Sequence, residues 1–156
     1  MRLTDLLSPE RVGIRHANGK DHFDKEKAIA MLAAMFGERD GVTPEEIERV
    51  LLEREALQST GIGEGVAIPH GKYEGIGDLT ACIGRAREGV DFESMDGRPT
   101  YIFFALVAPP NSTGAHLKAL ARISRLFKDP GFRTRLMQAR DAAEIYRTIA
   151  DEDARY

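Results

Sequence analysis

The residues Tyr101-Ile102-Phe103-Phe104-Ala105-Leu106-Val107-Ala108 form an uninterrupted apolar run, rich in aromatic side chains, that ends at Pro109-Pro110. A strand without alternating polar residues is typical of one that is buried on both faces of a sheet. This run therefore predicts a central strand, which needs other secondary structure against each of its faces.

Helical patterns lie on both sides of this strand in the sequence. Upstream, Ile29, Leu32, Ala33 and Phe36 recur at the spacing of one buried helical face. The stretch Thr43-Pro44-Glu45-Glu46 is a strong helix start, because it combines a capping threonine, a proline at the first position and a glutamate that completes a capping box. The predicted helices are 24–36, 43 to about 55–57, 115–128, 131–139 and one that begins at Asp141.

Strand patterns fill the region between the second helix and the central strand. The predicted strands are 66–68, 79–85 and, more weakly, 89–92. Residues 1–22 indicate a short opening helix or strand with a turn at Asn18-Gly19. We expect one α/β domain over residues 1–156, with its core at about 5–150. Its mixed sheet should have about four to five strands, with helices packed on both faces.

Length and composition exclude several classes of protein. A chain of 156 residues fits one domain, and its net charge of −3 argues against a dedicated nucleic-acid binder, which is usually basic. Cys82 is the only cysteine, so an intramolecular disulfide and a structural zinc site of several cysteines are impossible. No apolar run approaches the roughly 20 residues of a membrane span, and the N-terminus lacks the apolar core of a signal peptide. We therefore expect a cytoplasmic protein without membrane insertion.

The most unusual stretch is Gly61-Ile62-Gly63-Glu64-Gly65-Val66-Ala67-Ile68-Pro69-His70-Gly71. It is not a dinucleotide-binding fingerprint, because position 66 is valine, and it is not a P-loop, because no Gly-Lys-Ser/Thr follows. It places His70 at the end of a predicted strand, where ligands gather in α/β sheets. Taken alone, a Pro-His-Gly sequence is more often an ordinary loop.

Residues 59–71, from Ser59 through His70 to Gly71, resemble the signature of the IIA components of the bacterial phosphotransferase system. The branch they resemble is the type-2, fructose/mannitol group with its nitrogen-regulatory relatives. A second signature is similar to Leu106-Val107-Ala108-Pro109 followed by Ala115-His116-Leu117, and a third to Leu51–Glu55. The resemblance covers roughly residues 5–150, in order and with compatible spacing.

The resemblance implies a role for three residues. His70 would carry a phosphoryl group, His116 would face it as a hydrogen-bond donor, and Arg54 would stabilise its charge. One departure is Ala115, where relatives often carry a hydroxyl residue. The implied partners are a phosphocarrier protein similar to HPr or NPr and a downstream IIB or regulatory protein, and no cofactor or metal is required.

The chemistry of these residues agrees with that role. A histidine with a pKa of about 6.5 is a neutral nucleophile at cytoplasmic pH, and its second ring nitrogen should donate to a carbonyl at the strand end. The guanidinium of Arg54 can bind two phosphoryl oxygens, although on spacing alone a surface arginine paired with Glu53, Glu55 or Glu46 is the simpler interpretation. Thr60 is a possible hydroxyl donor or a plain turn residue.

Three alternatives remain open at the level of sequence. Within phosphoryl transfer, the chain would be a nitrogen-regulatory switch or the IIA subunit of a fructose/mannitol-type permease. A metal site or metallohydrolase that uses His70, His116 and an acidic residue is disfavoured, because no His-x-His or His-Glu-x-x-His spacing exists. A non-catalytic protein-interaction module is the third class. Cys82 is expected in the core, and His16 and His22 are assigned no role.

Overall fold

The computed structural model describes residues 1–15, 22–37 and 42–156, so the predicted turn at Asn18-Gly19 lies outside the described residues. The helices are α1 (Lys25–Phe36), α2 (Pro44–Leu57), α3 (Thr113–Leu126), α4 (Pro130–Gln138) and α5 (Ala142–Asp153). The strands are β1 (Val12–Arg15), β2 (Gly61–Gly63), β3 (Val66–Ala67), β4 (His70–Lys72), β5 (Thr80–Val90) and β6 (Thr100–Ala108). Two short 3-10 turns, Leu3–Asp5 and Pro9–Arg11, precede β1.

The strands form one mixed sheet in the order β1-β5-β6-β3-β2, and β4 pairs with β6 beyond the end of β3. The pairs β5–β6 and β2–β3 are antiparallel, and the others are parallel. Within the described residues, the sheet thus has six strands where the sequence predicted four to five. The additional strands β2 and β4 have three residues each, which is too short to produce a recognisable period of two.

The apolar run 101–108 lies in β6, at the centre of the sheet, as predicted. β6 pairs with β5 along one side and with β3 and then β4 along the other. Its side chains alternate between two hydrophobic cores. One core takes Ile102, Phe104 and Leu106, and the other takes Phe103, Ala105 and Val107.

Helices cover both faces of the sheet, which confirms the α/β layering. The face with Phe103 packs against α1 and α2, and Ile29, Leu32, Ala33 and Phe36 of α1 are all buried there. The opposite face packs against α3, α4 and α5. Across the described ranges, no helix is long and apolar enough to cross a membrane.

Candidate functional site

His70 is the first residue of β4 and lies opposite Leu106 of β6. Its Nδ1 is 2.7 Å from the carbonyl oxygen of Ile68. Because a carbonyl can only accept, Nδ1 must carry the proton of the neutral ring, and the lone pair is therefore on Nε2. The strand-end carbonyl that the sequence led us to expect is that of Ile68.

The surroundings of His70 favour the neutral imidazole. Burial lowers the pKa of His70 below its usual value, and the nearby charge of Arg54 lowers it further. The hydrogen bond to Ile68 and the carboxylate of Glu55 oppose this effect without reversing it. A neutral ring with a free lone pair is what a nucleophilic histidine requires.

His116 lies in the first turn of α3, where its backbone amide donates to the carbonyl of Ser112. Its ring centroid is 5.4 Å from that of His70, so the structure brings the two predicted histidines together. The ring is 5% exposed, and its buried Nδ1 has no hydrogen-bond partner among the described residues. Burial, followed by the charges of His70 and Lys72, lowers the pKa of His116 to about 4. His116 is therefore also neutral at physiological pH.

Arg54 lies in the last turn of α2 and lines the same cleft as the two histidines. Its Nη1 donates to the carbonyl of Gln58 at 2.8 Å, which closes the end of the helix. The simpler interpretation, a pair with Glu53, Glu55 or Glu46, is wrong. In the described part of the chain, Glu53 pairs with Arg49 and Glu55 with Lys25, whereas no ion pair involves Arg54.

Thr60 does not face the cleft, so the expectation of a hydroxyl donor from the glycine loop is not met. The side chain is buried, and its hydroxyl donates to the carboxylate of Glu55. The backbone amide of Thr60 donates to the same carboxylate at 3.0 Å. A buried carboxylate needs donors, and Thr60 supplies two of them to Glu55.

Lys72 is a cation of the cleft that the sequence did not indicate. Its Nζ donates to the hydroxyl of Thr113 at 3.0 Å, and both residues line the cleft with His70. Because side chains two positions apart point to the same side of a strand, β4 directs His70 and Lys72 together. The sequence points to Lys72 as a residue of the cleft only once residues 70–72 are known to form a strand.

The cleft has a volume of about 1090 Å³ and lies between α2, β4 and the start of α3. Gly71 permits this arrangement, since a Cβ at that position would lie 2.6 Å from Cγ1 of Val50 on α2. Two apolar side chains on its rim are strongly exposed, Leu57 at 82% and Leu117 at 60%. The cleft therefore combines a pair of neutral histidines, two cations and exposed apolar side chains.

Cys82 and His22 do not line the cleft. Cys82 is buried in the sheet, as predicted, and burial raises the pKa of its thiol. Nε2 of His22 lies 3.8 Å from Oδ2 of Asp24 at the start of α1. His16 lies outside the described residues. Over residues 1–15, 22–37 and 42–156, no three His, Cys, Asp or Glu side chains are grouped so as to hold a metal ion.

Comparison with known proteins places this chain in a family. Residues 13–152 match the family model described as the phosphoenolpyruvate-dependent sugar phosphotransferase system, EIIA 2. The chain is 40% identical over 150 residues to a nitrogen regulatory protein of Bradyrhizobium diazoefficiens, which covers 96% of this chain and 95% of that protein.

Solved structures give the same result. The nitrogen regulatory protein IIA-Ntr of Neisseria meningitidis superposes with a TM-score of 0.85 at 28% identity, over 94% of this chain and 98% of that one. The mannitol enzyme IIA of Escherichia coli, solved in complex with phosphorylated enzyme IIB, shares the fold, with a TM-score of 0.73 at 22% identity over 94% and 99% of the two chains. The chain belongs to the type-2 EIIA family of the phosphoenolpyruvate-dependent sugar phosphotransferase system and resembles its nitrogen-regulatory branch.

Proposed function

We propose that this protein is a phosphoryl carrier in which Nε2 of His70 accepts the phosphoryl group of a phosphohistidine protein similar to HPr or NPr. The group then passes to a downstream protein or acts as a regulatory signal. The observation that carries the proposal is the hydrogen bond from Nδ1 of His70 to Ile68, which leaves Nε2 as the nucleophile. We place this exchange in the cytoplasm.

The transfer needs no metal and no nucleotide, and it releases no proton. The lone pair on Nε2 of His70 attacks phosphorus, while the bond between phosphorus and the donor histidine breaks and its electron pair returns to the donor ring. The proton on Nδ1 stays in its hydrogen bond to Ile68 throughout. The bond that forms and the bond that breaks both join phosphorus to a histidine nitrogen. The free-energy change of the transfer is therefore small, and the reaction can run in either direction.

Three side chains of the cleft can stabilise the phosphoryl oxygens as negative charge develops on them. Arg54 and Lys72 are cations, and Arg54 offers a planar pair of donors. A neutral His116 carries one proton. If that proton is on Nε2, the unpartnered Nδ1 buries only a lone pair, and Nε2 becomes a donor for the phosphoryl group.

A partner protein is the natural occupant of the cleft mouth. The exposed Leu57 and Leu117 flank the histidines, and exposed apolar side chains around a polar site favour protein docking. The mannitol enzyme IIA of Escherichia coli was solved in complex with phosphorylated enzyme IIB, which supports docking of a partner protein such as a IIB protein on this chain as well.

The second candidate function uses the same chemistry. As the IIA subunit of a sugar permease, the protein would hand its phosphoryl group to a IIB protein. The 31% identity over 155 residues to the fructose-specific EIIABC component of Bacillus subtilis favours this role. The 40% identity to a nitrogen regulatory protein favours the regulatory role. Transfer from the phosphorylated protein to purified IIB proteins separates the two.

The proposal is tested by incubating the protein with phosphoenolpyruvate, enzyme I and a histidine phosphocarrier, followed by intact mass measurement. We expect a gain of one acid-labile phosphoryl group in the wild-type protein and none in His70→Ala. The Cys82→Ser variant is a control for nonspecific modification, because that thiol is buried and does not line the cleft. Phosphate on folded His70→Ala would place the chemistry elsewhere.

A further inference from the structure

Glu55 is a buried carboxylate with an unusual set of partners. It is 6% exposed and lies at the end of α2, next to Arg54. The ammonium group of Lys25, from the start of α1, is 2.8 Å from one of its oxygens. The amide and the hydroxyl of Thr60 both donate to it. One carboxylate thus joins two helices to the segment that leads into the glycine-rich hairpin.

The same hydrogen-bond path continues to the nucleophile. The carbonyl of Thr60 accepts the amide of Ile68 at 3.0 Å, which closes the base of the β2–β3 hairpin. The carbonyl of Ile68 in turn accepts Nδ1 of His70 at 2.7 Å. The position of the carbonyl that holds the His70 ring therefore depends on Thr60, and the position of Thr60 depends on Glu55.

We infer that Glu55 is a positioning residue, which fixes the tautomer and orientation of His70 through Thr60 and Ile68. It also fixes the end of α2 that carries Arg54 against the hairpin base, so that guanidinium and imidazole keep one geometry. This inference rests on the proposed function for its effect on transfer, but the effect on the ring is independent of it.

Stability alone is a poor explanation for this buried ion pair. The desolvation of two charges often offsets their attraction, and apolar replacements of such pairs are frequently as stable. A network that holds a nucleophile needs directional donors and acceptors instead, because a displacement of about 1 Å at a reacting group can slow a reaction about 100-fold. Glu55 supplies such acceptors to two donors of Thr60 at once.

The experiment is nitrogen NMR of protein labelled in its histidine rings, at a pH where the imidazoles are neutral. In the wild-type protein, we expect the proton of His70 on Nδ1. In Glu55→Gln, part of the population should move its proton to Nε2. Phosphoryl uptake by the same variant should slow about 10- to 100-fold. Thr60→Val should shift the ring in the same direction, whereas Thr60→Ser keeps the hydroxyl and should behave like the wild type.

Asp153→Asn is the matched control. Asp153 is 1% exposed, pairs with Arg122 and accepts the backbone amide of Thr4 at 3.2 Å, so it is also a buried carboxylate with a cation and an amide. It lies in α5, which packs on the face of the sheet opposite to α1 and α2. This variant should lose stability as Glu55→Gln does, with the His70 tautomer and the uptake rate unchanged.

The inference is overturned if Glu55→Gln and Asp153→Asn leave the His70 ring in the same state. If Glu55→Gln does not fold, equal His70 tautomers in Thr60→Val and Thr60→Ser overturn it instead. A wild-type protein that takes up no phosphoryl group contradicts the proposed function only. The comparison of tautomers still decides the role of Glu55 in that case, since it requires no transfer.

Discussion

His70 and His116 are 5.4 Å apart between ring centroids, yet their surroundings differ. His70 is partly exposed and has a carbonyl partner. His116 is buried, and its Nδ1 has no hydrogen-bond partner in the described part of the chain. Two similar side chains are thereby prepared for different tasks. His70 offers the lone pair of a ring that is held in a fixed direction, and His116 offers a neutral donor beside it.

His116→Ala should therefore slow phosphoryl uptake by about 100- to 1000-fold, which is the typical cost of one preorganised donor. The phosphoryl group should still appear on His70. His116→Gln should recover part of the rate, because its amide keeps a donor near the same place. Single-turnover uptake, followed by mass measurement, checks both variants. A His116→Ala protein that transfers at the wild-type rate would make the residue purely structural.

The lowered pKa of His116 also predicts a pH dependence of stability. Its pKa is about 4 in the folded protein and 6.5 when unfolded, so the unfolded chain binds a proton first as pH falls. The free energy of unfolding should therefore decrease from pH 6.5 down to about 4, by at most about 1.4 kcal/mol for each pH unit from this group. Urea unfolding across this range should show a shallower decrease for His116→Gln. Identical slopes would contradict a buried neutral ring.

Arg54→Lys tests whether geometry or charge matters at the end of α2. Lysine keeps the positive charge but loses the planar fork that matches two phosphoryl oxygens, so uptake should slow by about 10-fold or more. Lys72→Arg is the comparison, since a point charge held near Thr113 should tolerate this exchange better. Equal rates for wild-type protein and Arg54→Lys would make Arg54 a helix-end residue only.

Residue identities in the site could be predicted from the sequence where a motif carried them. His70, Arg54 and His116 stand in recognisable stretches, and the structure brings all three to one cleft. The surroundings of Thr60 and Lys72 could not be predicted from the sequence. The direction of Thr60 is decided by Glu55, whose burial no local pattern reveals, and Lys72 is selected by a three-residue strand that exists only because β6 provides a partner.

At the scale of elements, the long helices and the central strand follow from local signals. The capping box of Thr43 and Glu46 forms as predicted, and Asp24 caps α1. The weak strand predicted at 89–92 does not form as a separate strand. Its first two residues are the end of the long strand β5, beyond a shift in register, and residues 91–92 lie outside the sheet. Short strands and register shifts depend on hydrogen bonds to distant strands, so local periodicity carries no information about them.

The contact between β4 and α2 is the element-scale feature that shapes the cleft. Gly71→Ala would place a methyl group about 2.6 Å from Val50, so α2 must move away from His70. Overpacking of this kind typically destabilises a protein by about 1–3 kcal/mol, and we expect slower uptake as well. Gly71→Ala combined with Val50→Ala should restore much of both losses. Denaturant unfolding of the single and double variants measures this coupling, and strict additivity would contradict the contact.

At the scale of the whole molecule, one sheet separates two cores and brings together three distant parts of the sequence. The end of α2, the strand β4 and the start of α3 meet at the cleft, although they are far apart along the chain. The layered architecture was predictable from the doubly buried strand β6. The precise meeting of Arg54, His70 and His116 depends on the order of strands in the sheet, which no local sequence pattern determines.

The central claim is that Nε2 of His70 carries the phosphoryl group while Nδ1 remains protonated against Ile68. The most direct test is NMR of the phosphorylated protein with nitrogen-labelled histidines, which detects the coupling between phosphorus and the ring nitrogen bonded to it. We predict coupling to Nε2 of His70 alone, with the proton of that ring still on Nδ1. Coupling to Nδ1 of His70, or to either nitrogen of His116, would contradict the account.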